Sequence, residues 1–162
     1  MPTHVLWINA AAEQSGGPQV QWLVVHLVAV AVLAGVGWVV QLVVYPAFPL
    51  VGADEWPRYH DGHTRAITRV VAVPWLAQGV STAALLIVPT AVGRLSAAVL
   101  AALALVTVAS TVVTAVPAHG RLAMAQGAGD VAVLLRANLV RTLAWTGATL
   151  LSSQLLISAL LV

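Results

Sequence analysis

Apolar residues run almost without a break from Val20 to Tyr45, interrupted by Gln21, His26 and Gln41, and the run stops at Pro46. Three further apolar stretches follow, from Val70 to about Val88, from about Leu95 to Val116, and from about Leu139 to Val162. A helix of roughly 20 residues crosses a hydrocarbon layer of about 30 Å, so each stretch reads as one span. The pattern predicts an all-α membrane protein, a four-transmembrane-helix bundle forming one domain over residues 20–162 behind a flexible tail, residues 1–19. Met1 to Pro18 lacks the cationic and apolar regions of a cleavable signal peptide, and Ser15, Gly16, Gly17 and Pro18 read as flexible chain.

The connections carry the remaining polar pattern. Between spans one and two, Pro46 to Arg69 holds Asp54, Glu55, Asp61, Arg58, Arg65 and Arg69, and predicts an interfacial amphipathic helix. Asp54 is placed to cap it, and Pro57 suits its first turn. Trp56 and Tyr59 are residue types of the membrane boundary. This helix is expected to continue into span two, where Pro74 comes early enough to kink it without ending it. Pro89 and Gly93 predict a turn, Pro117 the end of span three, and Gly120 to Asp130 a loop. Span one leaves as Tyr45-Pro46-Ala47-Phe48 and span three as Val116-Pro117-Ala118-His119, an echo that raises parallel duplication. Small residues at helical spacing, Ala31 with Gly35 and Gly79 with Ala83, predict close helix contacts.

Composition agrees with lipid as the main solvent. The chain is 60% apolar and 7% charged over 162 residues, with mean hydropathy +0.96, and so few charges cannot cover a water-facing surface. The seven basic residues are all Arg and are scattered singly, which excludes a nucleic-acid interface. Cysteine is absent, which excludes disulfides, thiolate metal sites and a Cys nucleophile. Arg58, Arg65 and Arg69 in the first connection, with Arg121, Arg136 and Arg141 around the third, outweigh Arg94 in the second. By the positive-inside rule both termini lie outside the cell membrane.

Polar groups in hydrocarbon are costly and usually face a bundle interior or cavity. His60 and His63, three apart on the proposed interfacial helix, present two imidazoles on one face and can share a metal ion. His119 falls at a similar depth, as do Gln41 and Tyr45 at the end of span one and Asn138 and Arg141 at the start of span four. All four spans are then expected to supply one cytoplasmic-side site. Hydrogen bonding to water and headgroups is the plain alternative for these groups, and snorkelling is that for Arg141. His26 lies about 22 to 28 Å from Gln41 to Tyr45 along the helix and is assigned to the outer end. Gln78 and Gln154 are expected to bridge helices. No Asp or Glu falls in any span, which argues against a proton-coupled exporter.

Two segments, Val116-Pro117-Ala118-His119-Gly120-Arg121-Leu122-Ala123 and Asn138-Leu139-Val140-Arg141-Thr142, resemble the anthrone oxygenase-like family of small four-helix membrane proteins. There a valine-proline turn, a polar residue two positions on and Leu-Ala close the third helix, and Asn-x-x-Arg-Thr opens the fourth. His119 stands where that family usually has Asn, and the Tyr59 to His63 segment has no counterpart in its pattern. The chain also resembles uncharacterised actinobacterial-style membrane proteins with a Tyr-His-x-x-His segment. The first resemblance implies oxygenation of an electron-rich aromatic substrate whose carbanion does part of the chemistry.

The leading expectation is therefore a membrane oxidoreductase acting on a hydrophobic, aromatic small molecule. In its metal-dependent form His60, His63 and His119 hold iron or copper, with Gln41, Tyr45, Asn138 and Arg141 orienting the substrate. A cofactor-free oxygenase stays open beside it. The alternatives are a non-catalytic permease or partner subunit, or a small b-type haem carrier with two histidine ligands. Lipid is the expected surrounding partner, and homo-oligomerisation stays open.

Overall fold

A computed structural model describes residues 17–87 and 93–161. The tail before Gly17, the Pro89 part of the second connection and Val162 lie outside the described residues. Among the described residues every element is helical. Four helices are long and apolar enough to cross a membrane: α1, Val20–Leu50; α2, Trp56–Ile87; α3, Arg94–Met124; and α4, Ala128–Leu160. Helix α1 lies against α2 and α4, and α3 closes the ring against the same two helices.

Polarity in this bundle is the reverse of a water-soluble one. Large aliphatic side chains such as Leu42, Val73, Leu105, Val113 and Leu150 point outward, while His26, Gln78, Asn138, Thr107, Thr142 and Ser152 are buried. The buried apolar residues form two clusters. One, at the end where α1 meets α2, joins Tyr45, Phe48, Trp56, Ala118, Leu122 and Leu134. The other joins Leu23, Val30, Leu33, Leu85, Leu100 and Trp145.

The helices outlast the apolar stretches that announce them. Pro18 opens the first α-helix, at a position that needs no amide hydrogen. Residues 56–69 run on into span two as expected, as the first turns of one 32-residue helix that passes through Pro74. At about 1.5 Å per residue such a rod is roughly 48 Å long, well beyond a hydrocarbon layer. Its start is closed by Gly52, whose carbonyl accepts from the amides of Glu55 (3.1 Å) and Trp56 (3.0 Å). Most of the expected loop from Gly120 to Asp130 is helical too: α3 runs to Met124 and α4 begins at Ala128. Asn138 and Arg141 therefore lie well inside α4 rather than at its start. Gly93 has φ +71°, a left-handed conformation that glycine adopts without strain, and it leads into α3.

Neither Pro46 nor Pro117 ends its helix, and the reason is the same in both. A π-helical turn precedes each proline, Val40–Val44 in α1 and Ser110–Ala115 in α3. The Tyr45 amide bonds the Val40 carbonyl and the Val116 amide bonds the Thr111 carbonyl, each reaching five residues back. The widened turn takes in a ring that has no N–H and would clash with a carbonyl of a regular α-turn. The buried seam of α1 records the extra residue: Leu23, His26, Val30, Leu33, Gly37 and Val40 follow steps of three and four, and the next buried position is Tyr45. The sequence echo between spans one and three is thus an echo of local structure.

Candidate functional site

The π-turns aim Tyr45 of α1 and His119 of α3 at the same place. The Tyr45 hydroxyl lies 3.2 Å from His119 Nε2, and His119 Nδ1 lies 3.1 Å from His60 Nε2 on α2. His63, one turn beyond His60, packs its ring against Phe48 with centroids 5.2 Å apart and stacks on Tyr59. Trp56 donates from Nε1 to the Leu122 carbonyl at 2.8 Å and is 2% exposed. It is part of the site's aromatic wall and not the boundary residue that its type suggests. Gln126 binds this end together, donating from Nε2 to the carbonyls of Phe48 (2.8 Å) and Val51 (3.2 Å).

Proton placement in Tyr45–His119–His60 follows from donor and acceptor counting. A neutral imidazole has one N–H and one bare nitrogen. When Tyr45 donates to His119 Nε2, His119 donates from Nδ1 to His60 Nε2. In the opposite direction His60 donates to His119 Nδ1 and His119 donates to the Tyr45 oxygen. Interconversion of the two directions moves a proton between the Tyr45 end and the His60 end, so the three groups form a relay.

The inner end of the relay faces a cavity of about 310 Å³. Tyr45, His119, Thr68, Thr111, Asn138 and Arg141 contribute its polar lining, while Val36, Val40, Ile67, Val71, Trp75 and Trp145 make much of the rest apolar. Asn138 is 2% exposed, and its Nδ2 donates to the Gly37 carbonyl (3.0 Å) and to Gln41 Oε1 (2.9 Å). Arg141 is half-buried and donates to Thr111 Oγ1 (3.1 Å) and Asn138 Oδ1 (3.4 Å). Its Nε is buried with no hydrogen-bond partner. The ion pairs among the described residues, Arg65 with Asp61 and Arg121 with Asp130, do not include it. A guanidinium held by neutral partners at the wall of an apolar cavity is suited to an oxyanion.

The seven residues singled out from the sequence therefore fall into two linked groups. His60, His63, His119 and Tyr45 form the cluster, and Gln41, Asn138 and Arg141 form the hydrogen-bonded net beside it. His26 stands apart, buried against Ser152 Oγ at 3.0 Å. Gln78 bridges α2 and α4 by accepting from Trp145 Nε1 at 3.0 Å, whereas Gln154 is exposed. Thr111, Phe48, Trp75 and Trp145 are the contributors that sequence reasoning missed. Thr111 is one of four hydroxyl residues between Thr107 and Thr114, and nothing in the sequence marks it out from the others.

Two imidazole nitrogens on one ion stand roughly 3 Å apart, given metal–nitrogen bonds of about 2.0–2.1 Å. The His60–His119 spacing of 3.1 Å suits such a pair, and His63 Nε2 is buried without a partner. The three donors do not surround a common point, however: among the described residues no group of three or more His, Cys, Asp or Glu is arranged to hold an ion. Compared with protein-family models, curated proteins and solved structures, the chain finds no match.

Proposed function

We propose that the chain is a multi-pass protein of the cell membrane with both termini outside, and an oxidoreductase acting on an apolar, aromatic carbon acid. The four long apolar helices and the outward-facing aliphatic surface support the membrane placement. The observation that carries the activity is the double position of His119, which lines the cavity and stands in line between Tyr45 and His60. A carbon acid seated with its developing oxyanion on Arg141 gives its proton to the Tyr45 oxygen. Tyr45 passes its own proton to His119 Nε2, and His119 passes the Nδ1 proton to His60 Nε2. The added positive charge thus ends away from Arg141.

The resemblance to the anthrone oxygenase-like family supplies dioxygen as the second substrate. A ring methylene loses two hydrogens and gains one oxygen as a carbonyl, and the second oxygen leaves as water. The substrate carbanion provides the electrons. In the metal-dependent form His60, His63 and His119 would hold iron or copper, which would supply a binding place for dioxygen; the His60–His119 spacing suits two of the three donors, and His63 would have to swing to complete the set. Elemental analysis separates the forms: about one ion per chain, lost in His60→Ala and His63→Ala, supports the metal, and full turnover by metal-free protein supports the relay alone.

The test is dioxygen uptake by the purified protein in nanodiscs with a hydroxylated anthrone as probe. Tyr45→Phe and His119→Ala are expected to slow turnover by about 10² to 10⁴, the usual range for a positioned acid or base, with helicity unchanged. Undiminished turnover in both would falsify the relay. Copurification of a second protein, with no turnover, would favour a non-catalytic subunit.

A further inference from the structure

A second depression lies on the outside of the bundle, a groove of about 470 Å³ between α2 and α3. It shares Ala72 and Trp75 with the inner cavity, so those two residues stand between the outer surface and Arg141. The rest of the groove is built from Leu76, Gly79, Ala104 and Val108, with Gln78 as the polar residue. A Cβ built on Gly79 meets nothing within 4 Å, so the missing side chain is not demanded by a neighbouring helix. Gln78 is 2% exposed, and while its Oε1 accepts from Trp145, its Nε2 has no partner. Arg141 Nε, buried with no partner among the described residues, thus lies across Ala72 and Trp75 from this groove.

We propose that the cavity is loaded sideways from the bilayer by a single-chain amphiphile whose acidic oxygen pairs with Arg141 and whose tail runs past Ala72 and Trp75 into the α2–α3 groove. Charge complementarity identifies the head, since Arg141 has no carboxylate partner among the described residues. Continuity of the lining identifies the path of the tail. A substrate drawn from the lipid phase needs no opening at the end of the bundle, where Gln126 and Trp56 tie the connections together. This inference rests on the membrane placement proposed above but not on the proton relay, and the amphiphile competes with the carbon acid for Arg141.

The experiment uses the full chain in phosphatidylcholine nanodiscs and a hexadecanoic acid bearing a mid-chain diazirine. Irradiation is expected to label peptides covering Leu76 to Gly79 and Ala104 to Val108. The matching hexadecanol, tested on the unaltered chain, is expected to label them at least about tenfold less, the equivalent of one lost charge-assisted contact. Arg141→Gln should bring the acid down to the level of the alcohol, Arg141→Lys should restore most of the labelling, and Ala72→Trp should remove it. His60→Ala, which breaks the relay without touching the cavity wall, should leave labelling intact even where turnover is lost. Equal labelling by acid and alcohol, labelling unaffected by Arg141→Gln, or no labelling in the groove would each overturn the proposal. Competition by phosphatidylglycerol at equal mole fraction would also overturn it, by identifying the guest as a phospholipid headgroup.

Discussion

Asn138 holds more of the site in place than any other single side chain. Its amide reaches the Gly37 carbonyl and Gln41, and its oxygen takes a bond from Arg141. Asn138→Ala takes one hydrogen bond from each of these partners, and a buried polar group left unsatisfied costs about 1–3 kcal/mol. A lower midpoint in tryptophan-monitored thermal unfolding is the expected outcome, together with weaker substrate binding as Arg141 loses its support. The relay makes a second demand, because one bare nitrogen must lie between His119 and His60. When both rings are protonated, two N–H groups face each other across 3.1 Å and the bond is lost. Turnover should be level at pH 8 and fall only below about pH 6.5, the unperturbed imidazole value, because two rings in contact take their second proton less readily than one alone. A fall that persists unchanged in His60→Gln would remove histidine from the proton path.

Close approach of α1 to α4 depends on Gly37, where a Cβ would come 2.5 Å from Thr142 Oγ1. That hydroxyl is buried without a partner, so the contact is governed by shape. Gly37→Ala should cost about 1–3 kcal/mol, as overpacking does, and Gly37→Ala with Thr142→Ala should recover most of it. A double-mutant cycle on the unfolding midpoint checks the coupling. Element existence was legible in the sequence, because lipid-facing runs are long and uninterrupted. Element ends were not, for two physical reasons. A helix that leaves the apolar layer loses its unbroken apolar run, as residues 128–138 do, although its hydrogen bonding continues. Proline marks a helix end only for a regular α-turn, and the turns before Pro46 and Pro117 are wider. The convergence of His60, His63 and His119 with Tyr45 was readable from depth along the spans. The dependence of Arg141 on Thr111 was not, since a hydroxyl that returns to its own helix looks the same in sequence.

At the scale of the whole molecule, Gln126 joins the first connection to the third, so both lie at one end of the bundle. The same end carries Arg58, Arg65, Arg69, Arg121 and Arg136. The proposed topology puts this end in the cytoplasm, and the lack of native cysteine makes the test direct. A single cysteine in place of Ala53 or Ala125 should react with a membrane-impermeant maleimide only after cells are opened. Reaction on intact cells would invert the topology and set the relay on the outer face.

The two widened turns also act as gearing. A π-turn is one residue longer than an α-turn, and one residue corresponds to about 100° around a helix axis. Moving the extra residue from before Tyr45 to beyond it would turn Tyr45 by about 100° away from His119 while the rest of the rod kept its register. Tyr45 and His119 each sit just past such a turn, on opposite sides of the contact they share. Their meeting is therefore set by two helical phases, and a change in either one is enough to part them.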